Sequence, residues 1–182
     1  MKTLDCVISG VAVKFDAEFF AYDVKSGKRT RRLSCFSDAF DAELVEIRHG
    51  KEVALCVEHG GDPIATTAGA MDVYKTHRGL EFWAYPDDSP IGRAAVEGIR
   101  SGRFTGCSFA ASFTTRRSGD SDIIESVRDL IEVSISSHPA CEWTSVRIWT
   151  PSEWRTEWRR RVDESHRRLM QQFFSRRKSN GH

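Results

Sequence analysis

Up to about position 150 the chain alternates apolar and polar residues with a period of two; beyond it the spacing of apolar residues becomes helical. In "DCVISGVAVKF" Val7, Ser9, Val11 and Val13 fall on one face of a strand. "EVALCVEH", "GLEFWAY", "FTGCSFAASF" and "IIESVRDLIEVSIS" read as further strands. Between them, "AYDVKSGKRTRR" predicts a long solvent-facing loop and "TTRRSGDSD" a polar hairpin turn. One helix interrupts the strands: "SPIGRAAVEGIRSG" offers Ser89 as N-cap, Pro90 at the first helical position and Gly102 as the stop. Many short strands with one or two helices predict a mainly β domain with peripheral helices (α+β), closed or nearly closed into a barrel.

The last segment, "TPSEWRTEWRRRVDESHRRLMQQFF", opens with a capping box, Thr150 and Glu153, around Pro151. Trp154, Trp158, Val162, Leu169 and Phe173 form one apolar stripe on a helix roughly 36 Å long, with an arginine-rich opposite face. The change of texture at Pro151 divides the chain into a β domain, residues 1–150, and a basic amphipathic helical tail, residues 151–182.

Charge sharpens that division. The whole chain carries 27 Lys/Arg and 26 Asp/Glu, a net of +1. Nine of those basic and four of those acidic residues lie from 151 onward, which leaves residues 1–150 at −4. Basic helices bind phosphate, but the four acidic residues dilute this one, so no nucleic-acid partner is expected. The expected arrangement is an amphipathic helix whose apolar stripe packs on the β domain or on a partner helix while its basic face is solvated.

A hydrophobic fraction of 40% and a charged fraction of 29% exclude a wholly disordered chain. No apolar run approaches the eighteen or so residues of a membrane span, and the amino terminus alternates instead of forming a signal-peptide core, so a cytosolic protein without a membrane partner is expected. The five cysteines, Cys6, Cys35, Cys56, Cys107 and Cys141, are scattered and lack any C-x-x-C spacing. Neither a disulfide framework, a metal site nor a cofactor is indicated, and free, mostly buried thiols are expected.

Candidate chemistry lies in three strands. Alternation places Val53, Leu55, Val57 and His59 on one face, with His59 at a strand end beside the turn "GGDP". In "RDLIEVSIS" Ile131, Val133 and Ile135 face one way and Leu130, Glu132, Ser134 and Ser136 the other. A carboxylate at Glu132, inside an otherwise apolar strand, is costly to bury unless a partner uses it. A serine nucleophile needs an imidazole to take its proton, and the imidazole needs an acceptor that holds its tautomer and stabilises its charged form. Ser108 of "GRFTGCSFAASF", His59 and Glu132 can supply those roles. The residues alone leave the bland readings open: a small strand serine, a satisfied strand-end histidine, an ordinary ion-pair carboxylate. Cys107 is a rival nucleophile, but Cys107 and Ser108 point to opposite faces, so only one of them can meet His59. His49, His77, His166 and His182 read as surface residues.

Order and surroundings add a resemblance. "ISGVAVKFD", "CFSDAFDAEL", "VALCVEHGGDPIATTAG", "GLEFWAYPDDSPIGRAAVEGIRSGRFTGCSFAASF" and "LIEVSISSHPACEWTSV", spanning roughly residues 7 to 146, resemble the Hong-Kong-97-type prohead proteases of tailed bacteriophages, distant relatives of the herpesvirus protease assemblin. The most specific parts are the strand-end His, the G-x-x-x-G-x-S-F run after the helix and the E-V-S-x-x-x-x-P-A ending. The resemblance implies an assemblin-like β-barrel and a serine endopeptidase inside the viral procapsid, in the host cytoplasm. Its implied substrates are scaffold, the major capsid protein and the protease itself; further self-association is left open. The family's histidine falls on His59, its nucleophile on Ser108 and its acidic residue on Glu132. Two departures, "RRLSCFSDAF" for a P-G-A-F before the family's early helix and Ala110 for a glycine after the Ser-Phe pair, affect the pocket lining more than the triad.

Two alternatives stand beside this reading. Herpesvirus relatives use a second histidine as third member, and His138 in "SSHPA" competes with Glu132 for that role. His138 precedes a proline, which favours an extended loop past the strand end, whereas Glu132 lies inside the strand, within reach of a neighbouring histidine. The other alternative is a catalytically weak capsid-assembly or scaffold-binding protein that keeps the fold and binds through its helical tail.

Overall fold

A computed structural model describes residues 2–22, 29–40 and 52–179. In chain order it contains β1 (Val7–Lys14), β2 (Ala17–Tyr22), β3 (Arg29–Cys35), a 3-10 turn (Ser37–Ala39), β4 (Ala54–Val57), β5 (Gly60–Thr66), β6 (Met71–Lys75) and β7 (Gly79–Ala84). These are followed by α1 (Pro90–Arg100), β8 (Gly106–Ser118), β9 (Ser121–Ser136), β10 (Ser145–Trp149) and α2 (Pro151–Ser179). The chain divides into two compact units, Met1–Ile148 and Trp149–His182.

The first unit is mainly sheet. One sheet has the order β10-β1-β7-β6; the other has the order β2-β3-β9-β4-β5, with β8 paired to β9. A closed or nearly closed barrel is expected from the sequence; the strand pairing among the described residues closes neither sheet. β9 organises the second sheet. β8 runs antiparallel along one of its edges for its whole length. Its other edge is shared by two parallel partners in succession, β3 at Asp122–Ile124 and β4 at Glu132–Ile135.

The 16 residues of β9 pair with only 13 of β8, and the register slips opposite Ala110/Ala111, Ser112/Phe113 and Thr114/Thr115. Each slip leaves one β9 residue without a partner: Ile131, Arg128 and Glu125. Bulges of this kind bend and twist a strand and shift its side-chain phase. The core positions of β9 therefore recur every three residues, at Ile124, Val127, Leu130 and Val133, all buried. This corrects the strict alternation expected for the strand. Leu130 joins the core instead of sharing the face of Glu132, and Ile131, at 53% exposure, leaves the row of Val133 and Ile135.

Other sequence expectations are met or moved. Helix α1 starts where its cap predicts: the Gly92 N–H donates to Ser89 Oγ at 2.9 Å, Pro90 opens the helix, and Gly102, at φ +77°, follows the C-cap Ser101. All five cysteines are free and buried. The loop expected over "AYDVKSGKRTRR" is shorter, because Ala21 and Tyr22 pair with Arg31 and Arg29 in the β2–β3 hairpin; residues 23–28 lie outside the described residues. The family's early helix, implied after Phe40, also lies outside them, as do His49 and His182 and the side chain of His166. The stretch "GGDP" is not a turn but the start of β5, at the end of its sheet, where Pro63 removes no interior ladder bond.

In the second unit α2 opens as expected. The Thr150 N–H donates to Glu153 Oε2 at 2.8 Å and the Glu153 N–H returns to Thr150 Oγ1 at 3.3 Å. Trp149, Trp154 and Trp158 form a ladder of tilted rings 6.1 and 5.9 Å apart, and the Arg161 guanidinium lies 5.3 Å from the Trp154 ring centre. Val162 is exposed, so the apolar stripe weakens after Trp158; the side chains of Leu169 and Phe173 lie outside the description. Arg160 and Arg161 both bind Glu157, whose carboxyl is held at about 2, first by the Arg160 hydrogen bonds, and Arg160 also binds Glu164. Among the described residues no helix is long and apolar enough to cross a membrane.

Candidate active site

The site is built on the face of β9 that points away from the core. Glu132, Ser134 and Ser136 alternate there beyond the Ile131 bulge. The flanking strands put Ser108 of β8 and Cys56 of β4 directly beside Ser134 in adjacent registers. Strand neighbours lie about 5 Å apart, so Ser108, Ser134 and Cys56 form one row across the sheet.

β8 can bring Ser108 into this row because of the glycine two positions earlier. Gly106 pairs with Ser136, and a Cβ there would stand 2.6 Å from Thr144 Oγ1 and 2.8 Å from Pro139 Cγ. The G-x-S spacing thus admits the segment that follows β9. Cys107, between Gly106 and Ser108, pairs with Ile135 and turns into the core. Burial pushes its thiol pKa up, and its Sγ lies 3.6 Å from the Ser145 carbonyl. A fully buried neutral thiol on the core face is unsuited to attack.

His59 reaches the same face from the β4–β5 connection. Val57 pairs with Gly60, leaving Glu58 and His59 as a two-residue turn, and both have positive φ, 52° and 55°. This is the backbone of a type I′ hairpin, usually built from Asn and Gly. Left-handed backbone at a residue with a Cβ costs roughly 1–2 kcal/mol, so the surroundings must hold it. They do so from β9. The Glu58 N–H donates to the Ile135 carbonyl at 2.9 Å, and the His59 N–H donates to Ser134 Oγ at 2.7 Å.

The His59 ring then lies along β9, with Nδ1 2.6 Å from Glu132 Oε1. The histidine side chain is 45% exposed and the carboxylate 18%. The hydrogen bond from His59 holds the Glu132 carboxyl below its usual range, against the opposing effect of burial, with the Cys56 thiol as a further donor. Cys56 itself is pushed up to about 11, first by burial and then by the Glu132 charge, so it remains a thiol. An ionised Glu132 requires Nδ1 to carry a proton, and in the tautomer protonated there Nε2 is the basic nitrogen.

His138 is engaged elsewhere. Its Nδ1 lies 2.9 Å from Ser137 Oγ, and that hydroxyl donates to Glu58 Oε1 at 2.6 Å. Histidine and carboxylate on β4–β9 are thus joined directly, Ser108 stands in the row beside their anchor Ser134, and no hydrogen bond links Ser108 to His59 among the described residues. Sequence reasoning misses these anchors: Ser134 falls on the correct face but has no role there, and Cys56 and Glu58 carry no signal.

The model of the caudovirus prohead serine protease family matches residues 3–157. No curated protein matches the chain. Among solved structures the chain is similar to the KSHV protease in complex with a hexapeptide phosphonate inhibitor, at 12% identity and a TM-score of 0.49, over 93% of this chain and 76% of that one. The family match spans the His59 turn, β8 and β9 and ends in the first turns of α2, and the chain therefore belongs to the caudovirus prohead serine protease family.

Proposed function

We propose that this serine peptidase is an endopeptidase whose nucleophile is Ser108, whose base is His59 and whose orienting anion is Glu132, acting on scaffold or capsid protein, and on itself, inside the procapsid. The 2.6 Å bond between His59 Nδ1 and Glu132 carries the reading, because it points the basic Nε2 away from the carboxylate. In the proposed cycle His59 Nε2 takes the Ser108 proton as Oγ attacks the scissile carbonyl carbon, whose π electrons move to the oxygen. Collapse of that intermediate expels the amine, which leaves with the proton from His59, and an acyl-enzyme remains. Water, deprotonated by His59, attacks the ester; the acid product departs and Ser108 recovers its proton. Throughout, Glu132 keeps Nδ1 protonated and stabilises the imidazolium that forms at each attack.

Co-expression with the scaffold and capsid proteins of the same virus tests the substrate. Discrete cleavage products, with junctions identified by mass spectrometry, are expected. Uncut partners, from a protein that hydrolyses no peptide library, would leave the non-enzymatic assembly role in its place.

The helical tail is proposed to deliver the enzyme. Trp154 is itself buried, so a partner would meet the half-buried Trp158 and the exposed Val162, one and two turns further along the helix. Removal of residues 151–182 is expected to keep hydrolysis of a small peptide within about threefold while weakening co-packaging into procapsids. A truncated protein that is packaged normally, or that fails to fold, contradicts the delivery role.

A further inference from the structure

We propose that Glu58 is a positioning residue that clamps the His59 turn onto the end of β9 and thereby aims the imidazole; the proposal rests on the catalytic reading of His59 and Glu132. The His59 turn is held in the left-handed region at both of its central residues, where neither Glu nor His is favoured. Such backbone persists only when its surroundings over-determine it, and it concentrates at functional sites.

The side-chain and main-chain anchors of this turn come from one short stretch, residues 132–137. The main chain supplies the Glu58 N–H to the Ile135 carbonyl and the His59 N–H to Ser134 Oγ. The Glu58 carboxylate adds three bonds. It accepts from the Ser137 N–H at 2.9 Å and the Ser137 hydroxyl at 2.6 Å on Oε1, and from the Ser136 hydroxyl at 3.0 Å on Oε2. Burial alone would raise this carboxyl, yet the Ser137 and Ser136 bonds, with nearby His138, outweigh it and hold it below the usual range. A charged acceptor bonded by three donors is the strongest restraint on the turn.

The clamp is distinct from the catalytic pair. Glu58 touches neither the imidazole nor Glu132; it fixes the backbone from which His59 departs. With Cα of His59 set by the clamp and the Ser134 bond, the ring needs no search to meet Glu132 at 2.6 Å. A base on a loose turn would lose the alignment that a proton transfer requires.

Two substitutions separate position from strain and from charge. Glu58→Gly suits the left-handed backbone better than the native residue but removes all three side-chain bonds. Glu58→Gln keeps the reach, with Oε1 accepting both Ser137 donors and the amide nitrogen donating to Ser136 Oγ. Steady-state peptide hydrolysis and the downfield His59 Nδ1–H proton in the NMR spectrum are measured for both in the full chain. Glu58→Gly is expected to fold, to lower kcat about ten- to hundredfold with KM within about twofold, and to broaden or lose the Nδ1–H signal. Glu58→Gln is expected to restore the signal and to keep kcat within about threefold of the parent. Wild-type kcat and an intact signal in Glu58→Gly overturn the clamp, as does a Glu58→Gln protein as slow as Glu58→Gly with its signal intact. Ser108→Ala, run in parallel, separates this from failure of the catalytic reading. If Ser108→Ala retains activity, that reading fails, and the Nδ1–H signal alone still decides whether Glu58 holds His59.

Discussion

Ser108→Ala is expected to lower peptide hydrolysis by at least about ten-thousandfold while the protein folds normally, the scale of loss when a serine hydrolase is deprived of its nucleophile. The substitution removes one oxygen from a buried β8 position that packs by its backbone pairing with Ser134, so little thermal stability is at stake. Cys107→Ala provides the contrast. Cys107 is in the core beside Gly10 and Ile135, on the opposite face of β8 from the site. It is expected to reduce stability through a small cavity while leaving kcat within about threefold. An inactive Cys107→Ala protein of normal stability, together with an active Ser108→Ala protein, would transfer the nucleophile to the thiol.

Glu132→Gln is expected to lower kcat by at least about a hundredfold, close to 2.7 kcal/mol of lost transition-state stabilisation, with little change in KM. The glutamine oxygen can still accept from His59 Nδ1, so the ring is not set adrift. What disappears is the negative charge that favours the imidazolium, an interaction strongest once Ser108 has given up its proton. His138→Ala is expected to cost less than about tenfold, because His138 meets Ser137 rather than His59 and acts only on the edge of the Glu58 clamp. The two substitutions rank the candidates for the third member on purified proteins of matched thermal stability. A larger loss for His138→Ala than for Glu132→Gln contradicts the assignment to Glu132.

What could be read from the sequence was what local chemistry decides. Ser89, Pro90 and Gly102 mark the bounds of α1 because caps and stops act within one turn of their own helix. Thr150 and Glu153 mark the start of α2 for the same reason. Glu132 stood out because a carboxylate inside an apolar strand needs a partner, and His59 supplies it. The opposite orientations of Cys107 and Ser108 follow from the period of a strand, and the place of Cys107 in the hydrophobic core agrees.

Elsewhere tertiary pairing overrules the local signals. The strong turn residues of "GGDP" drew the turn too late. The actual turn, Glu58–His59, contains no turn former and is held by hydrogen bonds from β9, more than seventy residues further along the chain. Strict alternation describes β9 from Glu132 onward but not before it, because three bulges convert a period of two into a period of three. Bulges arise from the pairing of a longer strand with a shorter one, and no residue of "IESVRDLIEV" announces them. Strands β2, β3, β5, β6 and β10 are likewise not predicted from the sequence, being defined by their partners.

The central claim is that Ser108 reacts because His59, oriented by Glu132, takes its proton. A peptidyl phosphonate or fluorophosphonate probe, applied to the purified protein and followed by digestion and mass mapping, tests it most directly. The account predicts a single covalent adduct on Ser108, formed in the parent protein, greatly slowed in His59→Ala and Glu132→Gln, and absent in Ser108→Ala. An adduct on another residue, or labelling of Ser108 at an unchanged rate in His59→Ala, would contradict it.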